Sequence, residues 1–438
     1  MTAAPLPTTP TSPGDPASAP TLDLTVLVLA ERDGLELASL LPSLRVILDR
    51  LSIAYEIVVV GWRGDRAAAD GAAALGLDSI QIGGGYGDAL QAGFARARGE
   101  FILTMDADLA GGADFITRLW REREAADVTI ASRYVPGGRA AMGTWRNLCS
   151  RALNAAFSRG LDVPIRDVSS GFRLYRAAVL REQRIDSRDY DILQQTIVRA
   201  FAEGWRVREV PFTYQPLPGG SSHGRVLDVG RAWLKTFGQL WLLRNSILAA
   251  DYDDRAHDSR IPLQRYWQRS RYRHVVDLIA GEGPVLDVGC GSSRIIARLP
   301  PGSVGVDVLH RMLRYARKFG RPLVHGSGFS LPFADASFPC VLCSQVIEHV
   351  PKTSPILDEL CRVLAPGGRL VLGTPDYANW QWVYIEKLYG LVPGGYKDEH
   401  ISHYTNAELR RVMAARGLTF EEERYILRGE LIQAFRKA

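Results

Sequence analysis

Runs of consecutive apolar residues alternate along the chain with stretches in which apolar positions return every three or four residues. LTVLVLA at 24–30, EIVVV at 56–60 and FILTMDAD at 101–108 predict strands covered on both faces, because a half-exposed strand would interleave polar residues. Helical spacing predicts helices over 35–51 and near 64–75. A second series repeats the alternation, with PVLDVGCG at 284–291, SVGVDV at 303–308, PLVHG at 322–326, CVLCSQV at 340–346 and RLVLGTP at 369–375. Strand and helix in alternation predict mostly parallel sheets with helices on both faces, so the fold class is α/β, with two tandem Rossmann-like domains.

Where the alternation fails, the domain borders can be placed. Residues 1–20, rich in Pro, Thr, Ser and Ala, offer no apolar run able to form a core and are expected to be a disordered tail. The first domain is expected over 21–249 and the second over 276–438. The charged and aromatic stretch 250–275 between them reads as a linker running into a helix that caps the second domain. A length of 438 residues suits two domains, each able to bury a full core.

Composition narrows the classes further. With 46% hydrophobic and 23% charged residues the chain is globular in type. The most apolar stretch, Trp233 to Ala250, is interrupted by Lys235, Gln239 and Arg244 and falls short of the ~20 clean apolar residues that crossing a bilayer requires. No basic start followed by an apolar stretch marks a secretory signal. The net charge of +5 comes from 47 Arg and 6 Lys interspersed with acids, without the clustered basic face that nucleic acid demands. Five scattered cysteines suit a reducing cytoplasm. Cys340 and Cys343 sit three apart in a strand, on opposite faces, and are not expected to share a metal.

In the second domain a buried strand runs into a glycine turn, Asp287-Val288-Gly289-Cys290-Gly291, and then into a helix. Glycines there let a cofactor approach the strand end, and Asp307, 20 residues after Asp287, ends the next strand where its carboxylate can accept ribose hydroxyls. Together with SGFSLPFADASFPCVLCSQVIEHV and LDELCRVLAPGGRLVLGTP, these residues resemble the class I S-adenosylmethionine-dependent methyltransferases, with their seven-stranded fold. The resemblance implies that Asp287, Gly289, Cys290 and Gly291 meet the methionine part of S-adenosyl-L-methionine, that Asp307 holds the ribose, and that Ser327, Gly328 and Phe329 lie by the adenine. Ser293 replaces the third glycine of that family's turn, Ser327 its acidic residue near adenine, and Pro339 its Asp before the fourth strand. The run YKDEHISHYT resembles the closing segment of ubiquinone-biosynthesis-type O-methyltransferases. Glu348 and His349 after the fourth strand, with His400, His403 and Tyr404 from that segment, are the candidate bases, each with packing as its alternative role.

In the first domain FILTMDADL closes a buried strand with Asp106 and Asp108, a pair able to ligate a hard divalent cation beside a diphosphate. With GYGDALQAGFARARGE, ASRYVPGG and RDVSSGFRLYRAAVL at their spacing, it resembles family 2 glycosyltransferases of GT-A fold, and among them the dolichyl- and polyprenyl-phosphate mannosyltransferases. The resemblance implies Mg²⁺ or Mn²⁺ on Asp106 and Asp108, donor phosphate on Arg133, and an acceptor near Asp167, Ser169, Ser170 and Arg173. It implies a nucleotide-sugar donor and a lipid-phosphate or glycan acceptor. Of that family's donor-reading motifs Glu31, Gly220 and Ser222 remain, with Leu217 and His223 in place of two cations, and Gly61, Trp62, Arg63 and Gly64 stand where two carboxylates would read base and ribose.

Two readings follow. Either the chain is a bifunctional transferase, or it is a methyltransferase preceded by an inactive glycosyltransferase-like lobe that presents the acceptor. A cytoplasmic protein is expected, peripheral at the inner face of the membrane if Trp233, Phe237, Leu240 and Trp241, with Arg231, Lys235 and Arg244, form an interfacial helix; a packed helix is the alternative.

Overall fold

A computed structural model describes residues 22–30, 34–62, 67–109, 112–215, 226–390 and 400–438. The chain forms two compact units, the first built mainly from residues before 233 and the second mainly from residues after it.

The first unit holds strands β1 (Leu22–Ala30), β2 (Tyr55–Trp62), β3 (Asp78–Ile82), β4 (Gly99–Asp106), β5 (Val128–Ser132), β6 (Arg139–Ala140), β7 (Arg173–Arg176), β8 (Val207–Pro211) and β9 (Thr213–Tyr214). Seven of them order as β3-β2-β1-β4-β7-β5-β8, while β6 and β9 pair separately. The first four run parallel, and β7 is antiparallel to both β4 and β5. Chain order reverses between β1 and β4, so a crevice opens at their carboxyl ends, the usual ligand position in an open α/β sheet. Register puts Asp106 beside Leu29 at that edge. The apolar runs that predicted β1, β2 and β4 are buried on both faces, with Leu24, Val26, Val58, Val60, Leu103 and Met105 fully enclosed.

The second unit holds β10 (Val285–Val288), β11 (Val304–Asp307), β12 (Leu323–His325), β13 (Phe338–Ser344), β14 (Leu364–Pro375), β15 (Leu418–Ile426) and β16 (Glu430–Lys437), ordered β12-β11-β10-β13-β14-β16-β15. Only β16 runs antiparallel to its neighbours. The switch point here lies between β10 and β13, directly above the glycine turn. Cys340 packs on one face of the sheet with Val275 and Leu278, and Cys343 on the other with Leu286 and Leu357. That separation answers the C-x-x-C spacing: the two thiols cannot meet.

The segment read as a linker is mostly helical, with helices Tyr252–His257 and Pro262–Leu278. Pro262 opens the second of these at a position where no backbone N–H is needed.

One expectation about the helix Val226–Arg244 fails. Arg244 does not reach outward toward headgroups: its guanidinium is fully buried, bonded to both carboxylate oxygens of Asp251 at 2.6 and 2.7 Å and to the carbonyls of Leu161 and Asp162. A cation removed from water must find such partners, and the sequence window around it contained none that marked it as buried. Trp233 and Phe237 pack edge-on against Phe157, and Leu240 is buried, while Leu234 and Lys235 are exposed. The side chain of Arg231 lies outside the described residues. Among the described residues no helix is long and apolar enough to cross a membrane.

Candidate functional site

A cavity of about 590 Å³ occupies the switch point of the second sheet, and the residues singled out in the sequence converge on it. Asp287, Gly289, Cys290, Gly291, Asp307, Ser327, Gly328 and Phe329 all line it. Gly289 has φ +72°, and a Cβ there would overlap the Val346 side chain, so the turn admits no larger residue. Asp307 is locked in place by two backbone amides, Gly291 N to Oδ2 at 2.9 Å and Leu309 N to Oδ1 at 2.8 Å. Burial, and then the nearby Asp307, push the Asp287 carboxyl up to about 7. Burial also raises the Cys290 thiol well above its ordinary range, so it serves as an apolar wall rather than a nucleophile. Ser327 spends its hydroxyl on the Phe329 amide at 3.1 Å.

The cavity's other end carries the candidate bases. The Glu348 carbonyl accepts the amides of Ile401 and Ser402 at 2.8 and 2.9 Å, which brings His400 next to His349 with ring centroids 5.0 Å apart. One ligand atom from each of Glu348, His349 and His400 lies within 4.8 Å of the others. His349 and His400 line the cavity, whereas Glu348 is fully buried behind them with neither oxygen hydrogen-bonded, and burial pushes its carboxyl up to about 8. His400 Nδ1 lies 2.9 Å from Glu386 Oε1 and 2.8 Å from the Tyr377 hydroxyl. Burial, followed by His349, holds this imidazole below its usual range against the pull of Glu386. The remaining candidates lie elsewhere: His403 stacks on Tyr377, and Tyr404 is packed into the core beneath Lys352. Residues 396–399 of the closing segment lie outside the described residues.

Sequence reasoning missed the wall contributed by 252–271. Asp253, Gln264, Trp267 and Arg271 line the cavity, and Arg271 is tied by two 2.6 Å bonds to Glu430 on β16. Trp382 and Glu386 complete it. None of these lies within a recognisable motif.

In the first unit the half-buried carboxylates of Asp106 and Asp108 stand at the carboxyl end of β4. Asp106 Oδ1 accepts the Tyr86 hydroxyl at 3.3 Å, and burial raises the Asp108 carboxyl while Arg146 opposes it. The S-S-G-F-R segment comes alongside, since the Thr104 hydroxyl donates to the Gly171 carbonyl at 2.6 Å and a Cβ on Gly171 would lie 3.5 Å from Asp106 Oδ2. Arg133 donates its backbone N–H, Nε and Nη2 to Asp167 at 3.0, 2.8 and 2.7 Å, and Nη2 also reaches the Ser169 hydroxyl at 2.7 Å. Burial works against both charges, but these bonds hold Asp167 below the usual carboxylate range and Arg133 above its own.

Two residues expected at the acceptor are buried. Arg173 is fully buried, donating to the carbonyls of Leu193 and Val168 at 2.7 and 2.8 Å, and Ser170 is buried with its hydroxyl on the Ala131 carbonyl. Both spend donors on backbone carbonyls around the loop. Glu31, Arg63 and Ser222 lie outside the described residues. Residues without a motif do more here: Asn154 fixes Ser169 and Val168, and Glu209 accepts the Arg166 and Asp167 amides and the Ser132 hydroxyl. Trp62, in the place of a base-reading carboxylate, packs edge-on against the stacked rings of Tyr86 and Tyr190.

Comparison with known proteins agrees with the two sheets. Residues 80–184 match the model of the family described as Glycosyl transferase family 2, and residues 286–372 that described as Methyltransferase domain. A stretch of 138 residues, 30% of this chain, is 38% identical to the polyprenol monophosphomannose synthase of Mycolicibacterium smegmatis and covers 52% of it. Another 135 residues, 30% of this chain, are 36% identical to the demethylmenaquinone methyltransferase of Corynebacterium efficiens and cover 58% of it. The chain thus spans little more than half the length of these relatives. Among solved structures, glucosyl-3-phosphoglycerate synthase from Mycobacterium tuberculosis is 18% identical with TM-score 0.40, over 51% of this chain and 78% of that one. The chain thus carries one region similar to family 2 glycosyltransferases, followed by one similar to methyltransferase domains.

Proposed function

We propose that the protein is a bifunctional transferase. Its second unit moves a methyl group from S-adenosylmethionine to an acceptor, and its first moves a sugar from a nucleotide donor to a polyprenyl phosphate or related glycan carrier. The observation that carries the methyl half is the cradle at the switch point: Gly289 where no side chain fits, a clamped Asp307 facing a cavity of about 590 Å³, and a buried Asp287 between them. These residues suit a cationic cofactor with a vicinal diol. Asp307 would accept the ribose hydroxyls, Asp287 would lie by the methionine part, and the cofactor when bound supplies an electrophilic methyl. His400 or His349 would take the acceptor's proton, His400 being kept neutral by burial.

For the sugar half, Asp106 and Asp108 would hold Mg²⁺ or Mn²⁺, which supplies charge neutralisation for a departing diphosphate. Two carboxylates leave such a cation most of its six positions for phosphate and water oxygens, as befits a site completed by substrate. In the Arg133–Asp167–Ser169 cluster, Arg133 would meet the donor phosphate and Asp167 and Ser169 would border the acceptor. A lipid phosphate is already a nucleophile, so the unit needs no strong base. The likeness to a polyprenol monophosphomannose synthase supports this acceptor class. A cytoplasmic protein touching the inner membrane face fits such a substrate.

The packing of Trp62 against Tyr86 and Tyr190 favours a second reading, in which this unit binds the lipid-linked acceptor without transferring sugar, because aromatic rings fill the place of a donor-reading carboxylate. Calorimetry with nucleotide sugars and Mn²⁺ separates the two: binding of a donor supports transfer, and binding of none leaves the lobe. Mass spectrometry of lipids and glycans from cells carrying Asp106→Ala or Asp287→Ala tests the whole, with loss of a sugar expected in one and of a methyl group in the other. Profiles identical to wild type would refute both activities.

A further inference from the structure

Asp253 lies in the short helix Tyr252–His257, 34 residues before Asp287 and outside every motif. Its acidic neighbours are committed to protein cations. Asp251 takes both guanidinium nitrogens of Arg244, and Asp254 takes Arg294, Lys318 and, at 2.6 Å, the Tyr315 hydroxyl. Positions 251 and 254 are one helical turn apart, so these bonds anchor one face of the helix and aim Asp253 away from it.

What Asp253 meets is the cofactor cavity. Its carboxylate lines that cavity and has no hydrogen-bonding partner among the described residues; a Cβ on Gly291 would come within 3.4 Å of its Oδ2. Asp307 stands at the same glycine, accepting its amide. Asp287, 4% exposed, also faces the cavity without a hydrogen-bonding partner among the described residues. Arg271 attracts Asp253, but its charge is matched by its double bond to Glu430, while Asp307 and Asp254 repel Asp253. Three carboxylates around one cavity build a negative field that a cationic ligand group relieves. Burial accordingly raises the Asp253 carboxyl.

We infer that Asp253 binds the α-ammonium of the cofactor's methionine part, so that the segment joining the two domains supplies a cofactor ligand. This rests on reading the second unit as the S-adenosylmethionine site. The ammonium is the group chosen because it brings three N–H donors, whereas the sulfonium brings none and the ribose hydroxyls fall to Asp307. A charge-assisted bond of this kind is roughly twice as strong as a neutral one.

The test is calorimetry on the full chain with S-adenosylhomocysteine and with its analogue lacking the α-amino group. Asp253→Asn should bind S-adenosylhomocysteine about tenfold more weakly, the scale of one charged hydrogen bond, and bind the deamino analogue as wild type does. Asp253→Ser carries the same expectation, and unchanged affinity for the deamino analogue shows that the variant site is folded. Equal weakening toward both ligands, or toward neither, overturns the assignment of Asp253. If the wild-type chain binds neither ligand, the cofactor reading itself falls, an outcome distinct from a variant that matches a binding-competent wild type.

Discussion

Arg133 lays its guanidinium against Asp167 through two parallel bonds of 2.8 and 2.7 Å, and its own backbone N–H reaches the same carboxylate. The Asp167 side chain has no exposure to solvent. Removing one partner strands the other charge, a loss of about 3–5 kcal/mol in buried pairs. Asp167→Asn is therefore expected to destabilise the first unit by that order and to abolish sugar transfer, read by chemical denaturation and by transfer assay. Full stability in the variant would show that the pair is not desolvated.

Arg244 and Asp251 form the counterpart in the second unit. Arg244→Ala should cost about 3–5 kcal/mol by the same reasoning and leave binding to anionic vesicles unchanged, since the guanidinium does not reach the surface. Denaturation and liposome flotation measure the two effects separately. Loss of vesicle binding without loss of stability would reverse the structural assignment.

Gly289→Ala places a Cβ on Val346 at a positive φ. The strained backbone alone costs about 1–2 kcal/mol for a non-glycine residue. Cofactor affinity should fall at least about tenfold, because a shift of the turn relieves the clash only by moving into the cavity. Titration with S-adenosylhomocysteine checks this, and wild-type affinity would mean the turn has room that the geometry denies it.

Asp287 gives the cofactor site a pH signature. Its carboxyl, raised by burial and by Asp307 to about 7, keeps its proton in the folded protein well above the pH at which an unfolded chain would lose it. Its contribution to stability is thus fully present below the ordinary carboxylate range and is lost as pH rises through about 7. Wild type minus Asp287→Asn should show a Tm difference that moves against wild type over that window. A cationic ligand favours the ionised form, so binding near pH 6 should release up to about one proton, fading by about pH 8.5. Calorimetry in buffers of different ionisation enthalpy reads the proton count, and buffer-independent heats would contradict the assignment.

Three strands of the first sheet, β1, β2 and β4, and five of the second, β10 to β14, were legible in the sequence because a segment enclosed in a sheet must be mostly apolar, and that requirement is local. The Gly289 turn and the Asp287 to Asp307 spacing were legible for a related reason: a strand of known rise, one turn and one crossover fix where the next strand ends. The D-A-D at the end of β4 followed likewise from its own strand. What the sequence could not show is which charges are used up. Arg173, Arg244 and Arg133 look alike as single letters, yet one is sealed in the core by carbonyls, one is latched to Asp251 and one is paired with Asp167 and Ser169. Nor could it show that, of Asp251, Asp253 and Asp254, only the middle one faces the cavity. A charged side chain's role depends on partners anywhere from a few to tens of residues away and on whether water reaches it. Both are decided only when the elements pack, so the tertiary structure alone settled them.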